Sequence, residues 1–153
     1  MRKELIKQWG ESSAYSAKSH FKTADIKRIW IKVLITVNVL FAIFSLLDLG
    51  MPILARILAI VSLVASVLVL VFESQNEKNS VIRHMITGDE YLNLHNKLQE
   101  LFHSPEIAEV DFQKVSKTMK KLTEKDKPII SQIAKAWAKR SIEENNEMIK
   151  WWK

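Results

Sequence analysis

The chain has no cysteine, and only three glycines and three prolines among its 153 residues. Without cysteine there is neither a disulfide framework nor a thiolate metal site. So few glycines leave no room for a phosphate-cradling loop, and no GxGxxG turn or GxSxG nucleophile elbow is present. The same scarcity argues for long helices and few tight turns. The four histidines, His20, His84, His95 and His103, include no HExxH and no other close ligand pair. They read as surface or interfacial residues rather than as a metal site. No nucleophile stands beside a base. Neither an enzyme nor a cofactor is expected.

Charge is also missing from two places. Charged residues make up 26% of the chain, yet none lies between Val33 and Leu47 or between Ile57 and Phe72. The first apolar run, 29–47, spans roughly 28 Å as a helix, and the second, 53–72, about 30 Å. Each matches a bilayer hydrocarbon core of about 30 Å. Between them lie Asp48, Leu49, Gly50, Met51 and Pro52, where Gly50 allows a sharp turn and Pro52 suits the first turn of a new helix. A connection this short makes the two helices antiparallel neighbours. A buried hairpin in a soluble protein is the competing reading. It would need more partner surface than the remaining amphipathic segments supply.

Orientation follows from charge. Eight Lys or Arg lie between Met1 and Lys32, none lies in 48–52, and many more follow Phe72. The positive-inside rule therefore puts both termini in the cytoplasm. A net charge of +6 belongs to those flanks and gives no direct reason to expect nucleic acid. Trp30 sits where an aromatic-belt residue would sit, while Lys32 and Arg56 lie near span ends and can snorkel to the interface. No signal peptide and no lipidation motif is visible.

The expected organisation is all-α. Residues 1–28 form a cytosolic helix, 29–72 a transmembrane hairpin (29–47 and 53–72), and 73–153 a cytosolic helical tail. Ala14, Ala17, Phe21 and Ala24 recur at spacings of three and four, as on an amphipathic helix. In the tail, the second membrane helix is predicted to continue through Glu73–Thr87 to a break at Gly88-Asp89. Tyr91, Leu94, Leu98 and Leu101 form one apolar stripe, and Ala108, Phe112, Val115, Met119 and Leu122 another. Ser104 reads as a helix cap with Pro105 in the first turn. Pro128 is predicted to start the last helix, with Ile130, Ile133, Ala134 and Trp137 on one face.

Polar residues inside the apolar runs stand out most. Asn38, Ala42 and Ser45 share a face of the first helix, and Ala55, Ala59, Ser62 and Ser66 share one on the second. Small and hydroxylated stripes let membrane helices approach and hydrogen-bond across the contact. The sharper reading has Asn38, Ser45, Ser62 and Ser66 lining a water-filled path. Two helices cannot enclose a pore, so that reading requires an oligomer. In the tail, Lys117, Lys120 and Lys121 belong to a lysine cluster. It reads first as a solvated face, then as a contact for anionic lipid, and only third as a nucleotide or nucleic-acid site.

One segment, Ala17-Lys18-Ser19-His20-Phe21-Lys22-Thr23-Ala24, leads into the hairpin, and a helix runs out to Gly88-Asp89-Glu90-Tyr91-Leu92-Asn93-Leu94. In this arrangement the chain resembles the SLATT family, two-transmembrane effectors of bacterial conflict systems, over about residues 10–140. The resemblance implies an antiviral (antiphage) defence effector in the bacterial inner membrane. Such an effector would form a homo-oligomeric pore or ion channel and arrest growth. It also implies a nucleotide-signalling or reverse-transcriptase partner protein. The alternative is a non-conducting membrane anchor whose tail recruits a cytosolic partner.

Overall fold

The computed structural model describes residues 2–46, 52–73 and 80–153, and only the backbone of residues 45, 46, 72 and 73. Five helices and no strand occur among the described residues: α1 (Arg2–Leu46), α2 (Pro52–Glu73), α3 (Val81–His103), α4 (Glu109–Glu124) and α5 (Gln132–Glu143). The break expected at Asp48–Met51 lies outside the described residues.

Helix α1 is the mast of the molecule. Its 45 residues extend about 68 Å without a boundary at residue 28. The lead-in and the first apolar run are thus one rod, because nothing between Asp25 and Ile35 breaks a helix. The upper part of α1 packs on α2. Asn38 bonds Ser66, while Val69 packs against the cluster holding Ile31 and Ala24. Rising numbers on one helix meet falling numbers on the other, so the pair is antiparallel. The lower part of α1 runs antiparallel to α3: His20 meets His84, Phe21 meets Gly88, and the Gly10 carbonyl meets His95.

The amphipathic stripes behave as their periods require. Ala14, Ala17 and Ala24 are buried with Phe21 partly so, and Tyr91, Leu94, Leu98 and Leu101 are buried along α3. On α4, Val115 and Leu122 are buried, and Phe112 and Met119 pack beside them. Tyr91 donates to the Leu122 carbonyl at 3.4 Å, and Lys125 bonds both oxygens of Glu90 at 2.6 and 2.7 Å. These contacts seat the end of α4 against the middle of α3. Across the bundle, Tyr15 donates to Glu143 at 2.9 Å and Lys18 pairs with Glu147 at 2.6 Å, holding α5 and its sequel on α1.

Four helix limits differ from the sequence expectation. Helix α2 is described to Glu73, and α3 starts afresh at Val81, where the Ser80 hydroxyl accepts from the Arg83 amide at 3.2 Å. Gly88 is no break. It lies inside α3 because a Cβ there would sit 2.6 Å from the Phe21 ring, so glycine allows α1 to approach. Ser104 closes α3 rather than opening α4, which starts at Glu109. Likewise α5 starts at Gln132 with the Ser131 hydroxyl as its cap, not at Pro128. The predicted face of this last helix is also shifted. Ala134, Ala138, Ser141 and Ile142 are buried, while Ile133 and Trp137 are exposed, because small residues let α5 come close to α1.

Candidate functional site

In the hairpin, the inward face of α1 carries buried Ile31 with half-buried Leu34, Asn38 and Phe41; that of α2 carries buried Ala65 with half-buried Leu58, Ser62, Ser66 and Val69. Three predicted polar residues meet here. The Asn38 amide nitrogen donates to the Ser66 hydroxyl at 2.6 Å, and the Ser62 hydroxyl donates to the Asn38 carbonyl oxygen. Ser66 in turn donates to the Ser62 carbonyl at 2.9 Å. Both ends of the carboxamide are thereby engaged, as an apolar surrounding demands. The side chain of Ser45 lies outside the described residues. Ala42 and Ala59 point outward, so on each helix the contact face takes up only part of the expected small-residue stripe.

The rest of the hairpin surface is apolar and exposed: Val33, Val39, Leu40 and Phe44 on α1, and Ile57, Ile60, Leu63, Val67 and Leu70 on α2. Among the described residues, Pro52–Val71 is long and apolar enough to cross a bilayer. Trp30, Lys32 and Arg56 are exposed at its two ends.

Below the hairpin, three histidines, expected at surface or interfacial positions, are buried where helices meet. His20 and His84 face each other with their Nδ1 atoms 3.1 Å apart. One Nδ1 must carry the shared proton. Nε2 of His84 is buried and has no hydrogen-bond partner. An orphaned lone pair is tolerated better than an orphaned N–H, which favours His84 as the Nδ1–H donor. The His20 ring also stacks on Tyr91, and Lys127 donates to the Tyr91 hydroxyl at 2.8 Å. Burial, with Lys127 nearby, lowers His20 to about 4; burial, with Lys27 and His20 nearby, lowers His84 to about 3. Both rings are therefore neutral at pH 7. Among the described residues no group of three or more His, Asp or Glu is arranged to hold a metal.

His95 organises a third site. Its Nδ1–H donates to the Gly10 carbonyl at 2.9 Å, which leaves Nε2 to accept from the Trp151 indole at 3.0 Å. Burial lowers its pKa, partly offset by the Gly10 bond. Trp151 and Trp152 close this end of the bundle beside Phe102. Sequence reasoning missed all three histidine roles. Their signal was positional: His20 falls three residues after Ala17 on the buried stripe of α1, and His84 and His95 lie on the stripe of Tyr91 and Leu98.

The tail lysines gather no site of comparable definition. Lys117, Lys120 and Lys121 are exposed on α4 around an open depression of about 470 Å³. Lys120 faces Glu124 at 3.8 Å, and Lys125, on the same rim, is bonded to Glu90.

The family described as SMODS and SLOG-associating 2TM effector domain 6 matches residues 2–138, most of the chain. No curated protein and no solved structure matches. The family match stops short of Trp151 and Trp152.

Proposed function

Because the chain belongs to the SMODS and SLOG-associating 2TM effector domain 6 family, we propose that it is a membrane effector of a bacterial antiphage defence system. In this reading α2 and the apolar part of α1 cross the inner membrane as a hairpin, with both termini cytoplasmic. A homo-oligomer of hairpins opens a polar path and stops growth. The trigger comes from a nucleotide-signalling partner acting on the helical tail.

The observation that carries this reading is the seam of Asn38, Ser62 and Ser66 within an otherwise apolar hairpin. Polar side chains at such depth are costly unless satisfied, and they mark either helix association or a path. In one protomer the three satisfy one another, so the lone hairpin leaves none of these side chains without a hydrogen-bond partner. Opening then consists of exchanging these bonds for bonds to water or to neighbouring copies. The same internal satisfaction favours a second reading, a non-conducting anchor in which the seam only glues α1 to α2.

Dye leakage from liposomes separates the two. Full-length protein, with its cognate partner and that partner's nucleotide added, should release dye. Asn38→Leu should reduce release to the level of protein-free vesicles with oligomer size unchanged. An anchor would release none, and Asn38→Leu would leave partner recruitment intact.

A further inference from the structure

Where α1 leaves the bundle, a groove of about 380 Å³ opens between it and the first turn of α3, lined by Arg28, Ile31, Lys32, Ile35, Val81 and Ile82. Its walls are of two kinds. Ile31 and Val81 form a buried apolar floor, and Ile35 and Ile82 extend it outward as exposed apolar surface. Arg28 and Lys32, one helical turn apart on α1, are both exposed cations. Among the described residues neither has an anionic partner, whereas Lys18, Lys22 and Lys125 are each paired with a glutamate.

The groove thus joins an apolar trough, continuous with the exposed surface of the hairpin, to two exposed cations at its cytoplasmic end. We infer that it binds one anionic phospholipid of the inner leaflet, with the headgroup phosphate on Arg28 and Lys32 and an acyl chain along Ile31, Ile35 and Ile82. Charge complementarity selects the headgroup, and the trough selects a lipid over a soluble phosphate, which would leave Ile35 and Ile82 uncovered. A lipid wedged there touches both the hairpin and α3, so it lies where tail movement would reach the membrane helices. The inference rests on the membrane reading above.

The test uses full-length protein in phosphatidylcholine vesicles carrying spin-labelled phosphatidylglycerol or spin-labelled phosphatidylcholine, with flotation of the same samples to report insertion. Motionally restricted phosphatidylglycerol should exceed phosphatidylcholine by up to about 25-fold in relative association, since each of the two basic residues contributes about fivefold. Arg28→Gln/Lys32→Gln should abolish the preference while the protein still floats, and Lys117→Gln/Lys120→Gln/Lys121→Gln should leave it intact. Equal restriction of the two lipids by a floating protein overturns the lipid site alone. So does a preference that survives Arg28→Gln/Lys32→Gln, or one displaced by millimolar glycerol phosphate, which would assign the groove to a soluble anion. A protein that does not float overturns the membrane reading as well.

Discussion

Replacing Gly10 by alanine should destabilise the bundle by about 2–4 kcal/mol, although alanine is the better helix former by about 1 kcal/mol. A Cβ at this position would lie 2.3 Å and 2.5 Å from two carbons of the Trp151 ring. The ring is held on several sides. Its indole nitrogen is bonded to His95, and its faces and edges meet Phe102, His103 and Trp152. The added methyl must expel it, and loss of a buried tryptophan costs about 3–5 kcal/mol. Trp151→Ala should carry that cost directly. The diagnostic is the double variant: with the ring gone, Gly10→Ala should become stabilising by up to about 1 kcal/mol. Denaturant melts followed by circular dichroism in detergent would measure all four corners of the cycle. Additive effects would show that Trp151 does not sit over Gly10.

Mild acid should unfold the same bundle. His20 and His84 are held near 4 and 3 in the folded protein, below the 6.5 of a free imidazole, and His95 is lowered in the same direction. The unfolded chain therefore takes up protons first as pH falls. Stability is fully present above about pH 6.5, falls below it, and goes on falling until the folded-state values are reached. Each histidine contributes a slope of up to about 1.4 kcal/mol per pH unit. From pH 6.5 to 5 the His20–His84 pair alone can remove about 3 kcal/mol, a large part of a typical domain stability of about 5–15 kcal/mol. The charges acting on the pair are Lys27 and Lys127, and both oppose its protonation. Thermal melts from pH 7.5 to 5 should show this slope. His20→Leu/His84→Leu should reduce it to the part due to His95. An unchanged slope in that variant would place the acid sensitivity elsewhere.

The apolar stripes were readable because a helix repeats every 3.6 residues, and a residue such as Leu98 or Val115 has one way to be buried. The exposed surface of α2 was readable for the opposite reason: between Ile57 and Val71 it is apolar all round except at Ser62 and Ser66. Local punctuation misled where tertiary packing assigned it another task. Gly88 serves Phe21, not a turn, and Pro105 and Pro128 lie in connections whose helices begin several residues later. The face of α5 was misread because large residues were expected inside. Alanines are inside instead, and Trp137 is left out. Asn38, Ser62 and Ser66 could be suspected from composition alone. That the carboxamide would bridge both serines could not, because it depends on the rotation of each helix. The His20–His84 pair joins positions 64 residues apart, and the Trp151–His95–Gly10 chain crosses separations of 56 and 85 residues. No local pattern encodes such contacts.

In the proposed arrangement this effector spans the membrane twice with both ends inside. The absence of cysteine makes it directly testable, since any introduced thiol is the only one in the chain. Asp48→Cys, Ser12→Cys and Glu144→Cys would be expressed singly and treated with a membrane-impermeant maleimide in intact spheroplasts. Labelling at position 48 before permeabilisation, and at 12 and 144 only afterwards, is the result predicted. Position 48 protected together with 12 and 144 would mean that the hairpin does not cross the bilayer.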